Sequence, residues 1–147
     1  MSYSPMIKVE TESGERILGC DFSGGGYPKN PENMMFEMTA SLCRQGLASP
    51  TEDSKGGYPT VVKVHKATDL VKEIMLPVVE AIFARNIALR NAHYHYERTA
   101  NNEGLKSEHE EWKMKVENGK RYNVVCLEAL RAFPSDEGFI ITAWATL

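Results

Sequence analysis

Apolar and polar residues alternate over Ile7-Lys8-Val9-Glu10, and again over Arg16-Ile17-Leu18-Gly19-Cys20-Asp21-Phe22. A period of two residues marks half-buried strands, and Thr11–Gly14 between the two runs reads as a hairpin turn. The period then changes. Asn30-Pro31 supplies an N-cap and a proline for a first helical turn, Met34, Met35, Met38, Leu42 and Cys43 recur at helical spacing, and Gly46 is placed to end the helix. Ala48–Gly57 is polar, is broken by Pro50 and Gly56-Gly57, and reads as a surface loop. Tyr58–Lys66, with Val61, Val62 and Val64, reads as a strand.

Thr68-Asp69 caps the longest helical pattern, whose apolar positions are Leu70, Val71, Ile74, Val78, Ile82, Phe83, Ile87 and Leu89. The pattern runs on to about Arg98. A helix of that length would span ~45 Å, whereas a domain of this size has a radius of gyration of roughly 15 Å. The helix must therefore break, kink or protrude, and Pro77, which removes a backbone donor, is the expected kink. Beyond Asn101–Gly104, Leu105–Glu111 is charged and ambiguous. Trp112, Met114 and Val116 then alternate with Lys113, Lys115 and Glu117, Asn118-Gly119 is a strong hairpin signal, and Arg121–Leu130 reads as the returning strand. Pro134–Gly138 is a second turn and Phe139–Trp144 a third strand. The order β-β-α-β-α-β-β-β predicts one α+β domain over residues 1–147. Its antiparallel sheet is an N-terminal hairpin, a central strand and a C-terminal three-stranded meander, packed on one short and one long kinked helix.

The composition agrees with that picture. The chain has 147 residues, 42% hydrophobic and 25% charged, enough to bury a core without disulfide or metal staples. Collagen-like, mucin-like and wholly disordered chains are excluded. The net charge is −3. A duplex-binding protein clusters Lys and Arg against many phosphates. Here the basic residues form only local groups, Lys120-Arg121 and the row Arg85, Arg90, Arg98. Nucleic acid is accordingly not an expected partner. Cys20, Cys43 and Cys126 are far apart and form no CxxC pair, which argues against a zinc site and fits a reducing compartment. Met1-Ser2-Tyr3-Ser4-Pro5 does not resemble a signal peptide. The longest apolar stretch, Ile74–Phe83, holds Pro77 and Glu80 and is too short for a bilayer. A cytoplasmic protein with no cofactor, no metal and no membrane partner is expected.

Four features are candidates for chemistry. Gly24, Gly25 and Gly26 follow a strand and precede a helix, where backbone amides can cradle an anion. They lack the spacings of the known phosphate loops, so with Tyr27 they read as a flexible loop or as a binding loop that orders around a partner. In His93-Tyr94-His95-Tyr96 a helix would point His93 and His95 ~200° apart and leave His93 with Glu97 as the workable pair; a strand would put both histidines on one face. Two ligands are not a metal site, and ordinary packing at a helix end, with Tyr and His facing the sheet or solvent, is the favoured reading of the tetrapeptide. Met34, Met35 and Met38 read as core or as a pliable contact face. Ser41-Leu42-Cys43 has no nucleophile-elbow pattern, so Cys43 reads as a buried, inert thiol.

The stretch Gly119-Lys120-Arg121-Tyr122-Asn123-Val124-Val125, Arg131 and Gly138-Phe139-Ile140-Ile141-Thr142-Ala143-Trp144 resembles the closing hairpin of the small endoribonucleases of the barnase, EndoU, colicin and RelE superfamily. The resemblance covers only about the last thirty residues. It implies a metal-independent, toxin-like endoribonuclease in which Thr142, Arg131 and a histidine, His93 or His95, surround the scissile phosphate. The family's upstream histidine motif is not recognisable, and the acidic balance departs from the usual basic one. Thr142 shares a face with Ile140 and Trp144, which predicts a buried Thr142 with no histidine beside it. The other reading is a non-catalytic protein-interaction or assembly module, viral in type (phage- or mobile-element-encoded, acting in the host cytoplasm), that binds a protein partner or itself.

Overall fold

The computed structural model describes residues 4–21, 31–51, 60–84 and 87–146. The N-terminal hairpin is as the alternation predicts: β1, Ser4–Glu10, pairs antiparallel with β2, Arg16–Asp21. The turn is held by the Thr11 amide donating to the Glu15 carbonyl (2.8 Å) and the Gly14 amide donating to the Thr11 carbonyl (2.9 Å). Helix α1, Pro31–Arg44, buries Met35, Met38 and Leu42, so the two described methionine side chains are core and not a contact face. Gly46 adopts φ 73°, and the Leu47 amide reaches back to the Leu42 carbonyl at 2.9 Å, a Schellman ending that Gly accommodates without Cβ strain. The expected loop that follows contains a short strand, β3, Ala48–Pro50, which pairs with β4, Thr60–Val64.

The long helical pattern is two helices. α2 runs Asp69–Ala84 and α3 runs Ile87–Arg98; Pro77 lies inside α2 without ending it. The expected kink site is thus not where the chain divides. The buried stripe of α2 is Val71, Met75, Val79, Ile82 and Phe83, while Leu70, expected on that stripe, is 47% exposed.

The predicted C-terminal meander is overturned. Lys106–Ala132 is a single helix, α4, of 27 residues, running through both expected strands and through Asn118-Gly119. Its inward positions are His109, Trp112, Val116, Gly119, Asn123, Cys126 and Leu130, alternating three and four residues apart. This is a helical seam, and it outweighs the short alternation of Trp112, Met114 and Val116. Only the third expected strand survives, as β5, Phe139–Thr146.

The sheet is antiparallel throughout, with order β2-β1-β5-β4-β3. Its helix-covered face carries Ile7, Val9, Leu18, Val62, Val64, Phe139, Ile141 and Ala143, all in the core with α1, α2 and the C-terminal half of α4. The other face carries Lys8 and Glu10, paired at 3.3 Å, and Lys63, paired with Glu12 at 2.8 Å. The α+β class holds, with four helices in place of two.

Lys72 terminates α4. It is almost fully buried on α2, and its Nζ donates to the carbonyls of Arg131 (3.0 Å) and Phe133 (2.6 Å). These carbonyls lie where a helix exhausts its own donors. Along β2, Tyr122 of α4 takes both outward backbone groups of Gly19: its hydroxyl donates to the Gly19 carbonyl and accepts from the Gly19 amide.

Candidate functional site

The α3–α4 hairpin is an arm. α3 packs principally on the N-terminal half of α4, and none of its described side chains belongs to the central core cluster. With 27 residues, α4 spans about 40 Å, so its C-terminal half is anchored in the core while its N-terminal half carries α3 beyond it.

The arm is poor in aliphatic packing. Its fully buried members are Ala92, Thr99 and Val116. Between them the helices meet through two aromatic stacks, His95 on Trp112 (ring centroids 4.5 Å) and Tyr96 on His109 (4.6 Å). The Thr99 hydroxyl lies 2.8 Å from the His95 carbonyl, to which it donates, and 3.0 Å from Nδ1 of His109. Nδ1 of His95 is buried in the seam without a hydrogen-bond partner among the described residues.

Helical geometry separates the two histidines of the tetrapeptide as expected. His95 faces α4, whereas His93 is exposed and its Nε2 lies 3.1 Å from Glu97. Among the described residues no three His, Cys, Asp or Glu side chains converge. The arm's outer surface leaves large apolar groups in solvent: Tyr94 is 61% exposed and Met114 62%.

The remaining candidates are scattered. Arg131 stands at the C-terminal end of α4, where its Nη2 donates to Glu80 at 2.9 Å. Nineteen residues of helix separate Arg131 from Trp112, the residue that holds His95, a distance of about 28 Å. Thr142 is half-buried rather than buried. The core face of β5 is Phe139, Ile141 and Ala143, so Thr142 lies on the opposite face of the sheet from the helices, in register with Lys8 and Val61. The expected phase of that strand was off by one residue. Gly24, Gly25, Gly26 and Tyr27 lie outside the described residues. Residues 119–131, which carry part of the endoribonuclease resemblance, form helix and not hairpin.

Cys43 is half-buried and Cys126 buried. Burial raises both thiol pKa values; for Cys126, hydrogen bonds from Tyr122 and the Gly19 backbone pull part of the way back. Neither is an activated nucleophile. Among the described residues, no helix is long and apolar enough to cross a membrane. Comparison with protein-family models, curated proteins and solved structures finds no match to this chain.

Proposed function

We propose that this chain is a non-catalytic protein-interaction or assembly module, of the kind that phages and mobile elements encode, working in the cytoplasm through its helical arm. The observation that carries the reading is the arm's exposed Tyr94 and Met114, on α3 and on the N-terminal half of α4, whose described side chains lie outside the central core. A monomer gains nothing by holding large apolar side chains in water on a projecting element, whereas a contact surface uses them as anchors. The rival endoribonuclease reading asks for a histidine, Arg131 and Thr142 around one phosphate. Those groups are distributed over the arm, the far end of α4 and the open sheet face.

Affinity capture with the wild type and a Tyr94→Ser/Met114→Ser variant tests the proposal, with solution mass measured alongside. The expected result is a companion protein, or a second copy of the chain, held by the wild type and released by the variant, with matching circular dichroism. A monomer at every concentration, retaining the same proteins as the variant, would overturn it.

A further inference from the structure

On one side of the arm the seam opens into a cleft of about 430 Å³, lined by Leu89, Asn91, Ala92, Trp112, Lys115 and Gly119 among others. Small-molecule sites start at roughly 300 Å³. At residue 119 the missing side chain lets Leu89 pack directly on α4 as part of the cleft wall, since a Cβ there would stand 2.8 Å from Leu89 Cδ1. Leu89, Ala92 and Trp112 form an apolar wall. The rim is polar and of one sign. Lys115 holds its ammonium 4.4 Å from the centroid of the Trp112 ring, and no carboxylate among the described residues lies within ion-pair distance of it. Asn91 adds a primary amide with no hydrogen bond of its own among the described residues. No acidic side chain among the described residues lines the cleft.

From the apolar wall, the one unpaired cation among the described lining residues and the neutral amide, we propose that this cleft binds an amphiphilic monocarboxylate. The hydrocarbon lies against Leu89, Ala92 and Trp112, and the carboxylate accepts from Lys115 and Asn91. Among the described lining residues, one cation matches one negative charge. An ammonium ligand would meet Lys115 as a like charge, and an alcohol would forgo the charge-assisted bond. The site stands whether or not the arm engages a protein.

The probe is octanoate, with 1-octanol and octyltrimethylammonium as controls. A Trp144→Phe background leaves Trp112 as the reporting fluorophore, since the chain has two tryptophans. Saturable binding of octanoate is expected, with 1-octanol and the ammonium probe weaker. Lys115→Gln should raise the octanoate Kd about tenfold, equivalent to about 1.4 kcal/mol. Gly119→Leu, whose side chain would displace Leu89 from the cleft wall, should abolish binding. Lys115 is exposed, so its variant decides the matter even if Gly119→Leu perturbs the arm. Absence of saturation, equal affinity for the three probes, or wild-type affinity in Lys115→Gln would overturn the proposal.

Discussion

Replacing Lys72 by Met keeps the length and apolar stem of the side chain and deletes only its ammonium. In the native fold that ammonium is almost buried and donates to two carbonyls at the end of α4, on Arg131 and Phe133. Each hydrogen bond to a charged group contributes about 1.5–3 kcal/mol. A cation at a helix C-terminus adds some tenths to about 1 kcal/mol from the dipole. Against this stands the cost of withdrawing the ammonium from water, which the substitution removes. The balance is a loss of about 2 kcal/mol, because the variant leaves carbonyls without donors rather than replacing both partners. The assay is urea unfolding followed by far-ultraviolet circular dichroism. With a urea m-value of about 2 kcal/mol/M, the midpoint should fall by about 1 M. Since α4 also carries the arm, proteolysis near Phe133 should quicken in the same variant. An unchanged midpoint with an unchanged m-value would refute the reasoning, for it would mean that water caps α4 as well as Lys72 does.

Ile82 is fully buried in the core, so Ile82→Ala should cost about 2–5 kcal/mol in the same titration. Gly138→Ala would place a Cβ 2.4 Å from the Val64 carbonyl and 2.7 Å from that of His65, and should lower the melting temperature more than Ile82→Ala does. Because burial raises the Cys126 thiol pKa, its contribution to stability is full below the unfolded-state value and declines as pH rises through the raised one. Cys126→Ala should therefore flatten the alkaline limb of the stability–pH curve, and mass spectrometry should find Cys126 alkylated only after unfolding. Total RNA incubated with the purified chain should remain intact; cleavage lost on Thr142→Ala and Arg131→Ala, with both variants folded, would favour the endoribonuclease reading.

The first two strands, α1, the second strand pair's longer member and the start of α2 are legible because local pattern and tertiary role coincide. Ile7 and Val9 alternate and are buried together, and Thr68 both signals a cap and accepts from the Val71 amide at 3.4 Å. Residues 112–130 mislead for a physical reason. Trp112 and Val116 satisfy a strand period and a helical period alike, and Met114, which separates the two, proves to be solvent-exposed. Exposed Val124 and Val125 add β-propensity that packing does not use. The helical seam hides because His109, Gly119 and Asn123 occupy it, residues that a hydrophobicity count scores as outward-facing. The arm's two stacks share that origin: His95 and Trp112 are seventeen positions apart, and no pairing rule joins them until α3 and α4 are known to run side by side. Pro77 misleads in the opposite sense, as a strong local signal that the surrounding packing absorbs.

The position of β5 dictates an order of events during synthesis. This strand is made after the other four strands of the sheet, yet it lies at the middle of it, between β1 and β4. Until Phe139–Thr146 has left the ribosome, the β1–β2 and β3–β4 hairpins have no ladder joining them, and their inward faces stay open to solvent. Closing the sheet then joins Ser4 to Thr146, nearly the full length of the chain, in a single antiparallel register. Such long-range pairing is slow to nucleate, and the nascent chain exposes apolar hairpins while it waits. A stop codon before Phe139 therefore yields no smaller version of this fold, but two unjoined halves for the cell's chaperones and proteases to handle.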